Sequence, residues 1–596
     1  MSAQWAWTDS DFDRTLQHSA MINKDIGGMW QRWCEHASKS PDTVAIVHYQ
    51  ADESPRRWTW GQLLCTAESY SAGLTANGIK KGEVCALIVK HNALLYPVYM
   101  ACVRNGAIPA VLAYPNPRLH PDKFREGLEG MGCRSGLDWI LTDRSLDGVL
   151  RPLLGDGRST IRGLQFPFES SEYLDLGTSR GQLAGVNSVL DSDPLLLQHS
   201  SGTTGLQKPV LLSHRTVIEH VIQYGKVLGI CAQDKVVSWL PLYHDMGLIA
   251  ALHLPLTLGI QTIQIDPFEW VLDPALLLRA VWSEGATLTW LPNFAFSMMA
   301  DKIKEEDLEE VTLESLRMVI NCSEPVRHAD QEKFFRRFSP RGLRRDALSS
   351  CYAMAETTFA VTQTLPGCEP QTLDILPSSL SNGRVSPARD DGEVRICVSS
   401  GQLIPGCQIR IIDEQGKELD ERRIGEVAIK SATMFDGYRN YPEKTAASMR
   451  DGWYLSGDYG FRDGADYYII GRKKDIVIIA GNNIYPEDVE AAINGLDGVI
   501  PGRVVAFGEE DAQFGSERLS VVAETILADE AGRRKLRLEI IKAGMSVDVT
   551  ITNVYLVPPR FLIKSSAGKL SRAANKQRVI QLGKQSEIAI HLMEMA

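Results

Sequence analysis

The chain has 596 residues, 44% of them apolar and 23% charged, with a net charge of −11; it is too long for one ordinary core, and the composition is that of a soluble globular protein. The mild acidity argues against nucleic acid or an anionic membrane surface as the main partner, and no run of about 18 uninterrupted apolar residues calls for a membrane span. Eleven cysteines without a Cys-x-x-Cys pair and twelve histidines without metal-ligand spacing fit reduced thiols and ordinary histidines, excluding a disulfide framework or a zinc site as the organising feature. The start of the chain has no basic stretch leading into an apolar run, so the cytoplasm is the expected compartment.

Residues 63–79 carry apolar side chains at helical spacing, Gly82 breaks the pattern, and Val-Cys-Ala-Leu-Ile-Val at 84–89 reads as a buried strand. A second helical stretch over 93–105 precedes Gly106 and the strand-like Ile-Pro-Ala-Val-Leu-Ala at 108–113. This alternation predicts an α/β architecture with a parallel sheet and helices on its faces. Ligands in such sheets bind beyond the carboxyl ends of the strands. At 195–214, LLLQHSSGTTGLQKPVLLSH, an apolar run opens into a loop of hydroxyls and glycines that closes on Lys208 and precedes a helical pattern from Thr216. Backbone N–H groups freed by glycine, Ser and Thr hydroxyls and an ammonium together suit phosphate. A Walker loop is excluded, because Lys208 is followed by Pro209 rather than by a hydroxyl residue. On composition alone the stretch equally fits a flexible polar loop.

Residues 365–395 are the least periodic of the chain and predict an ordered insertion or a surface excursion. At 457–490 the run GDYGFRDGADYYIIGRKKDIVIIAGNNIYPEDVE sets strand-like segments at 467–470 and 476–479 around Gly-Arg-Lys-Lys-Asp. Four charges between apolar strands form a solvated joint. It is either a hairpin turn or a hinge to a C-terminal domain of about 120 residues. FLIKSSAGKLSR, at 561–572, is a second Ser-Gly-Lys loop that taken alone reads as a solvated lysine.

Six stretches then line up in one order: the loop at 198–209, WLPLYHDMGLI at 239–249, NCSEPVR at 321–327, YAMAETT at 352–358, the block at 457–490 and SSAGKLSR at 565–572. Together they resemble the adenylate-forming superfamily of acyl-CoA ligases, fatty acyl-AMP ligases, peptide-synthetase adenylation domains and firefly luciferase, over nearly the whole chain. The resemblance implies a large N-terminal multi-subdomain α/β domain over 1–473 and a small, mobile C-terminal α+β domain over 474–596, with the hinge at Lys474. It implies an AMP-forming acid–thiol ligase: a carboxylate attacks the α-phosphate of ATP, pyrophosphate leaves, and the acyl-adenylate meets a thiol.

Residue by residue, the resemblance implies that Ser200, Ser201, Gly202, Thr203, Thr204, Gly205 and Lys208 hold the departing phosphates. It makes Glu356 the Mg2+ ligand and sets Tyr352, Ala353, Asp458 and Arg472 around the nucleotide, with Asp458 accepting the ribose hydroxyls. Lys569 is the catalytic lysine that stabilises charge on the carboxylate and α-phosphate oxygens. Rotation at Lys474 would withdraw it and bring the loop of Gly481, Asn482 and Asn483 to the thiol. His244 matches the gate between acyl pocket and thiol tunnel. Asn293, Phe294, Cys322 and Ser323 fall in segments expected to line the acyl pocket, whose apolar character implies a hydrophobic acid. Plainer readings stand beside these: a turn aspartate for Asp458, a helix-start charge for Glu356, a hydrogen-bonded histidine for His244 and packing thiols for Cys322 and Cys351.

LPLYHDMGLI, LPNFAF at 291–296 and the long segment after Glu356 are most similar to fatty acyl-AMP ligases. In those relatives the insertion hinders the rotation that CoA transfer needs, and the acyl group goes to a carrier protein's phosphopantetheine arm. AGNNIYPEDVE departs from them: they usually have arginine and histidine where this chain has Ala480 and Ile484, a form similar to CoA ligases. The expected function is therefore activation of a small-molecule hydrophobic carboxylic acid as acyl-AMP and its transfer to a thiol. CoA comes first as acceptor and an acyl carrier protein second, with ATP or acyl-AMP and Mg2+ as the other ligands. A non-catalytic adenylate-binding protein is a third reading, opposed by the retention of Glu356, Asp458 and Lys569. Gln207 and Pro209 stand where the family has Pro and Gly around the lysine, and Cys322 and Ala353 where it has Gly. A β-carbon beside a ligand and a lost N–H donor predict weakened adenylation, in the extreme with acyl-adenylate supplied by a separate adenylating enzyme, against tolerated drift with full activity.

Overall fold

The structure is a computed structural model; it describes residues 28–50, 53–115, 121–154, 159–169, 189–199, 208–381, 383–388, 394–479, 482–511, 516–547, 549–564 and 570–581. The helix Trp60–Ala76 starts where Thr59 accepts the Gln62 N–H and the Gln62 side chain accepts the Thr59 N–H, so two otherwise orphaned donors are satisfied by the sequence itself. It ends at Asn77 and Gly78, whose φ of +96° suits glycine. The helix Leu95–Arg104 packs beside it, and the strands Val84–Ile88, Ile108–Val111, Trp139–Thr142 and Gly163–Gln165 pair in parallel, as the alternating pattern predicts.

A second sheet runs, among the described residues, through nine strands: Gln402–Leu403, Ala360–Gln363, Leu348–Ala353, Met318–Asn321, Leu288–Leu291, Lys235–Ser238, Gln261–Gln264, Val44–His48 and Arg56–Thr59. Its middle is parallel and its strands are buried, so they read as continuous apolar runs. The strands Leu288–Leu291, Met318–Asn321 and Leu348–Ala353 are neighbours and point the same way. Their carboxyl ends therefore deliver Asn293, Ser323 and Glu356 to one edge of the sheet.

The loop at 198–209 is framed differently from the expectation. It joins Pro194–His199 to Pro209–Ser213, which are antiparallel, and Gly437–Tyr438 adds a third antiparallel strand. It is a hairpin connection and not the strand-to-helix turn of a parallel sheet; the helix His214–Val227 starts only after the second strand, with Ser213 accepting the Thr216 N–H. Pro209 opens that second strand, where its missing N–H is tolerated.

The segment after Glu356 is ordered where it is described. Thr372–Ile375 pairs antiparallel with Arg395–Val398, and Ile375, Leu380, Val385 and Cys397 share a core with Phe461, Tyr468, Ile470 and Tyr485. Trp453–Asp463 and Asp466–Arg472 form the hairpin that leads to a single turn at Lys473–Asp475. Beyond it, Val499–Asp511, Ser516–Thr525 and Ile551–Val557 make a separate sheet. The helices Pro486–Asn494 and Glu530–Met545 cover it, with a core that includes Val489, Val504, Val521 and Ile540. No helix among the described residues is long and apolar enough to cross a membrane.

Candidate active site

The strand register sets the nucleotide end of the site. Asp458 and Arg472 are direct cross-strand partners in the hairpin that precedes the joint, and the Arg472 Nε lies 3.3 Å from Asp458 Oδ1. Tyr352, at the carboxyl end of its strand, donates its hydroxyl to Asp458 Oδ2 at 2.6 Å, and the Asp458 N–H is taken by Ser456 Oγ at 3.0 Å. Burial, and then the Asp458 charge, push the Tyr352 phenol well above its ordinary value, so it stays a donor. The Asp458 charge in turn raises the Arg472 guanidinium. Asp458 thus lies within a strand, with both of its carboxylate oxygens engaged.

Tyr352, Ala353, Asp458 and Arg472 line a cleft of about 1800 Å³ that runs between the sheet edge and the C-terminal unit. Leu570 and Ser571 line the same cleft. Lys569 itself, Ser200, Ser201, Gly202, Thr203, Thr204, Gly205, Gln207, Ala480 and Gly481 lie outside the described residues. Asn482 and Asn483 form a short hairpin with Ile478 and Ile479, and their side chains are outside the description. Partial desolvation, and then repulsion by Arg472, lower the pKa of the Lys474 ammonium, with Lys208 and Asp458 also within electrostatic reach.

Lys208 reaches across the hairpin: its Nζ donates to the Tyr438 hydroxyl at 3.1 Å and sits 4.8 Å above the Tyr438 ring. Tyr438 donates onward to Glu356 Oε1 at 2.7 Å, and Tyr454 also hydrogen-bonds Glu356. Burial, then the Glu356 charge, raise both phenols, so both act as donors. Glu356 is buried in the turn Ala355–Thr357. Thr358 beside it has φ +70°, φ sparse for a residue with a β-branched side chain, and its hydroxyl is held by the Thr433 carbonyl at 2.9 Å. No cluster of three or more His, Cys, Asp or Glu ligands exists among the described residues. A single carboxylate fits Mg2+, which takes one or two carboxylates and completes its shell with phosphate oxygens and water.

The acyl side is assembled from the neighbouring strand ends. Asn293, Phe294 and Ser323 line the cleft with Tyr243, Val271 and Met298. Asn293 is also a structural tie, donating to Asp330 Oδ2 at 2.6 Å and accepting from Asn321 Nδ2 and the Arg327 N–H, both at 3.0 Å. Ser323 has φ +71°, the strain that a glycine-rich version of this turn would avoid. Cys351 lines the cleft, whereas Cys322 is wholly buried and is not among the lining residues; the two thiols lie side by side, continuing the register in which Asn321 pairs with Ser350. At the gate, Tyr243 contributes to the cleft wall while the His244 ring packs against Tyr243 with centroids 4.9 Å apart. At Gly247 a Cβ would come 2.3 Å from the Pro241 carbonyl oxygen, so the turn bearing His244 requires glycine there.

Residues missed from sequence are Tyr438, Tyr454, Arg395 and Arg572. Arg572 gathers three carboxylates, Asp475 at 2.9 Å, Glu487 at 3.2 Å and Glu490 at 2.8 Å, which fastens the segment after Lys569 to the joint and to the helix Pro486–Asn494. Arg395 pairs with Asp488 of the same helix. A charge triad around Arg572 had a signal in the acidic run Glu487-Asp488-x-Glu490; the tyrosines had none.

A cleft between a large α/β portion and a small C-terminal unit, with Asp458 and Arg472 on its wall and Lys208 linked through Tyr438 to Glu356, is compatible with an adenylate-forming ligase. A family model for AMP-binding enzymes matches residues 33–439, and the chain belongs to that family as an AMP-forming ligase. The long-chain-fatty-acid–AMP ligase FadD26 of Mycobacterium marinum is 29% identical over 576 residues, 91% of this chain and 96% of its own. A solved chain from a study of fatty acyl-adenylate ligases of E. coli and L. pneumophila has the same fold, with a TM-score of 0.85 at 22% identity over 94% of this chain and 99% of that one. The L. pneumophila fatty acyl-adenylate ligase in complex with acyl adenylate and pyrophosphate matches with a TM-score of 0.70 at 25% identity, over 93% and 96% of the two chains.

Proposed function

We propose that the chain activates a long-chain fatty acid as its adenylate and passes the acyl group to the phosphopantetheine thiol of an acyl carrier protein, with Lys474 as the hinge between the two steps. For activation, Asp458, steered by Tyr352 and Arg472, accepts the ribose hydroxyls. Lys208 and the loop before it neutralise the departing phosphates, and Lys569 stabilises charge where the carboxylate meets the α-phosphate. Bound at Glu356, Mg2+ would supply positive charge to the phosphate oxygens. The apolar wall with Phe294, Met298 and Val271 suits an aliphatic tail.

The observation that carries the choice of acceptor is the grip of the insertion on the C-terminal unit. Arg395 of the insertion pairs with Asp488, and Tyr485 packs into the insertion's own core. In the fatty acyl-AMP ligases that this chain resembles, such an insertion hinders CoA transfer, and on that ground we put the carrier protein first, where the sequence put CoA. The second reading, CoA, keeps the support of Asn482-Asn483-Ile484 in the thiol-side loop. Supplying hexadecanoic acid, ATP and Mg2+ with either holo-carrier protein or CoA, and weighing the thioester, decides between them: acyl-carrier with AMP release is expected, and preferential acyl-CoA overturns the acceptor. Pyrophosphate exchange on the same acid tests the weakened adenylation raised by Gln207, Pro209, Cys322 and Ala353. Brisk exchange is expected and removes the need for a separate adenylating enzyme.

A further inference from the structure

Residues 433–439 form a strap that touches both phosphate-side motifs at once. The Phe435 N–H donates to the Glu356 carbonyl, the Asp436 N–H to the Leu211 carbonyl and the Arg439 N–H to the Pro209 carbonyl, each at 2.9 Å. Tyr438 pairs in register with Val210, two residues beyond Lys208. Gly437, beside it in the strand, has φ +122°, a backbone conformation that suits glycine. The Tyr438 hydroxyl accepts from Lys208 Nζ at 3.1 Å and donates to Glu356 Oε1 at 2.7 Å, with Tyr454 Oη at 3.2 Å closing the group. One phenol thus stands between the cation of the phosphate loop and the carboxylate assigned to Mg2+, more than 200 residues away in the chain from one and 82 from the other.

We propose that Tyr438 is a positioning residue for the first half-reaction, presetting the separation and orientation of Lys208 and Glu356 so that Mg·ATP meets both together. This rests on the adenylate-forming reading above. A lysine and a glutamate this near each other would otherwise collapse into a direct ion pair, spending on each other the charges meant for phosphate and metal. The interposed hydroxyl satisfies both by hydrogen bonds weaker than that pair, and so leaves each free to exchange partners when the nucleotide arrives. Its contribution ends once pyrophosphate has left, because the thiol step uses preformed acyl-adenylate and neither group.

Tyr438→Phe keeps the ring and its contact with Phe435, 4.9 Å between centroids, and removes only the hydroxyl. Loss of hydrogen bonds to charged groups is expected to raise the KM for Mg·ATP in pyrophosphate exchange by about tenfold, with the KM for the acid within about twofold of the parent. The heat of Mg·ATP binding measured without acid should fall in parallel. Thioester formation from synthetic acyl-adenylate should match the parent, which also certifies the fold. Unchanged Mg·ATP binding and exchange overturn the proposal, and so does an equal fall in both half-reactions. If the parent chain itself showed no exchange with any fatty acid, the functional reading would fail, while the calorimetric comparison would still judge Tyr438.

Discussion

Asp458 shows how much of the site is decided by single contacts. Its Oδ2 is held by the Tyr352 hydroxyl at 2.6 Å and its other oxygen faces Arg472, so Tyr352→Phe frees the carboxylate to turn. A hydrogen bond to a charged group is worth about 1.5–3 kcal/mol, and the expected result is a rise of about tenfold in the KM for ATP with kcat less affected, read by pyrophosphate exchange. An unchanged KM would detach Tyr352 from nucleotide binding. Away from the site, Asp234 tests the electrostatics of the fold. Burial alone would raise its pKa, but the Arg317 guanidinium, the Cys231 N–H and the Thr287 hydroxyl bring it down to about 2. The unfolded chain therefore binds more protons in this range, so the stabilisation is complete above about pH 4 and disappears as the pH falls toward 2. Arg317→Ala should cost about 3 kcal/mol in urea unfolding at neutral pH and less as the pH is lowered to 3.5. An equal cost at both values would contradict the assignment.

At the scale of elements, the insertion is the segment whose placement says most about the acceptor. Its two strands share apolar contacts with the hairpin that carries Asp458, and its Arg395 reaches Asp488 on the first helix past the joint. A tie of this kind opposes rotation without touching the adenylation contacts. Arg395→Ala is expected to raise acyl-CoA formation several-fold relative to the parent while pyrophosphate exchange stays within about twofold. A variant with the parent's CoA rate would show that the ion pair does not restrain the C-terminal unit.

Across the whole molecule, the turn at Lys473–Asp475 is the narrow link between the nucleotide hairpin and the separate C-terminal sheet. Leu570 and Ser571 already line the cleft with Tyr352 and Asp458, so this arrangement suits the first half-reaction. Lys474→Pro, which stiffens the link at a position where a short turn tolerates proline, should leave pyrophosphate exchange near the parent's rate. Thioester formation from supplied acyl-adenylate should fall by about tenfold or more; parallel behaviour of the two half-reactions would remove Lys474 as the hinge.

The sequence by itself determined the local chemistry. The helical stretch from Leu63 and the buried strand at 84–89 were legible because periodicity and turn residues act over a few positions, and Asn293, Ser323 and Glu356 because they stand in stretches that resemble a known family. So was the charged joint at 471–475. Only the tertiary structure decided which distant segments complete those motifs. The phosphate-type loop joins two antiparallel strands with Gly437–Tyr438 paired beside the second, Cys351 lines the cleft while its neighbour Cys322 does not, and Tyr438 and Arg395 find charged partners that no spacing announces. Register and long-range pairing depend on the whole packed sheet, and a linear pattern carries no record of which strand will lie next to which.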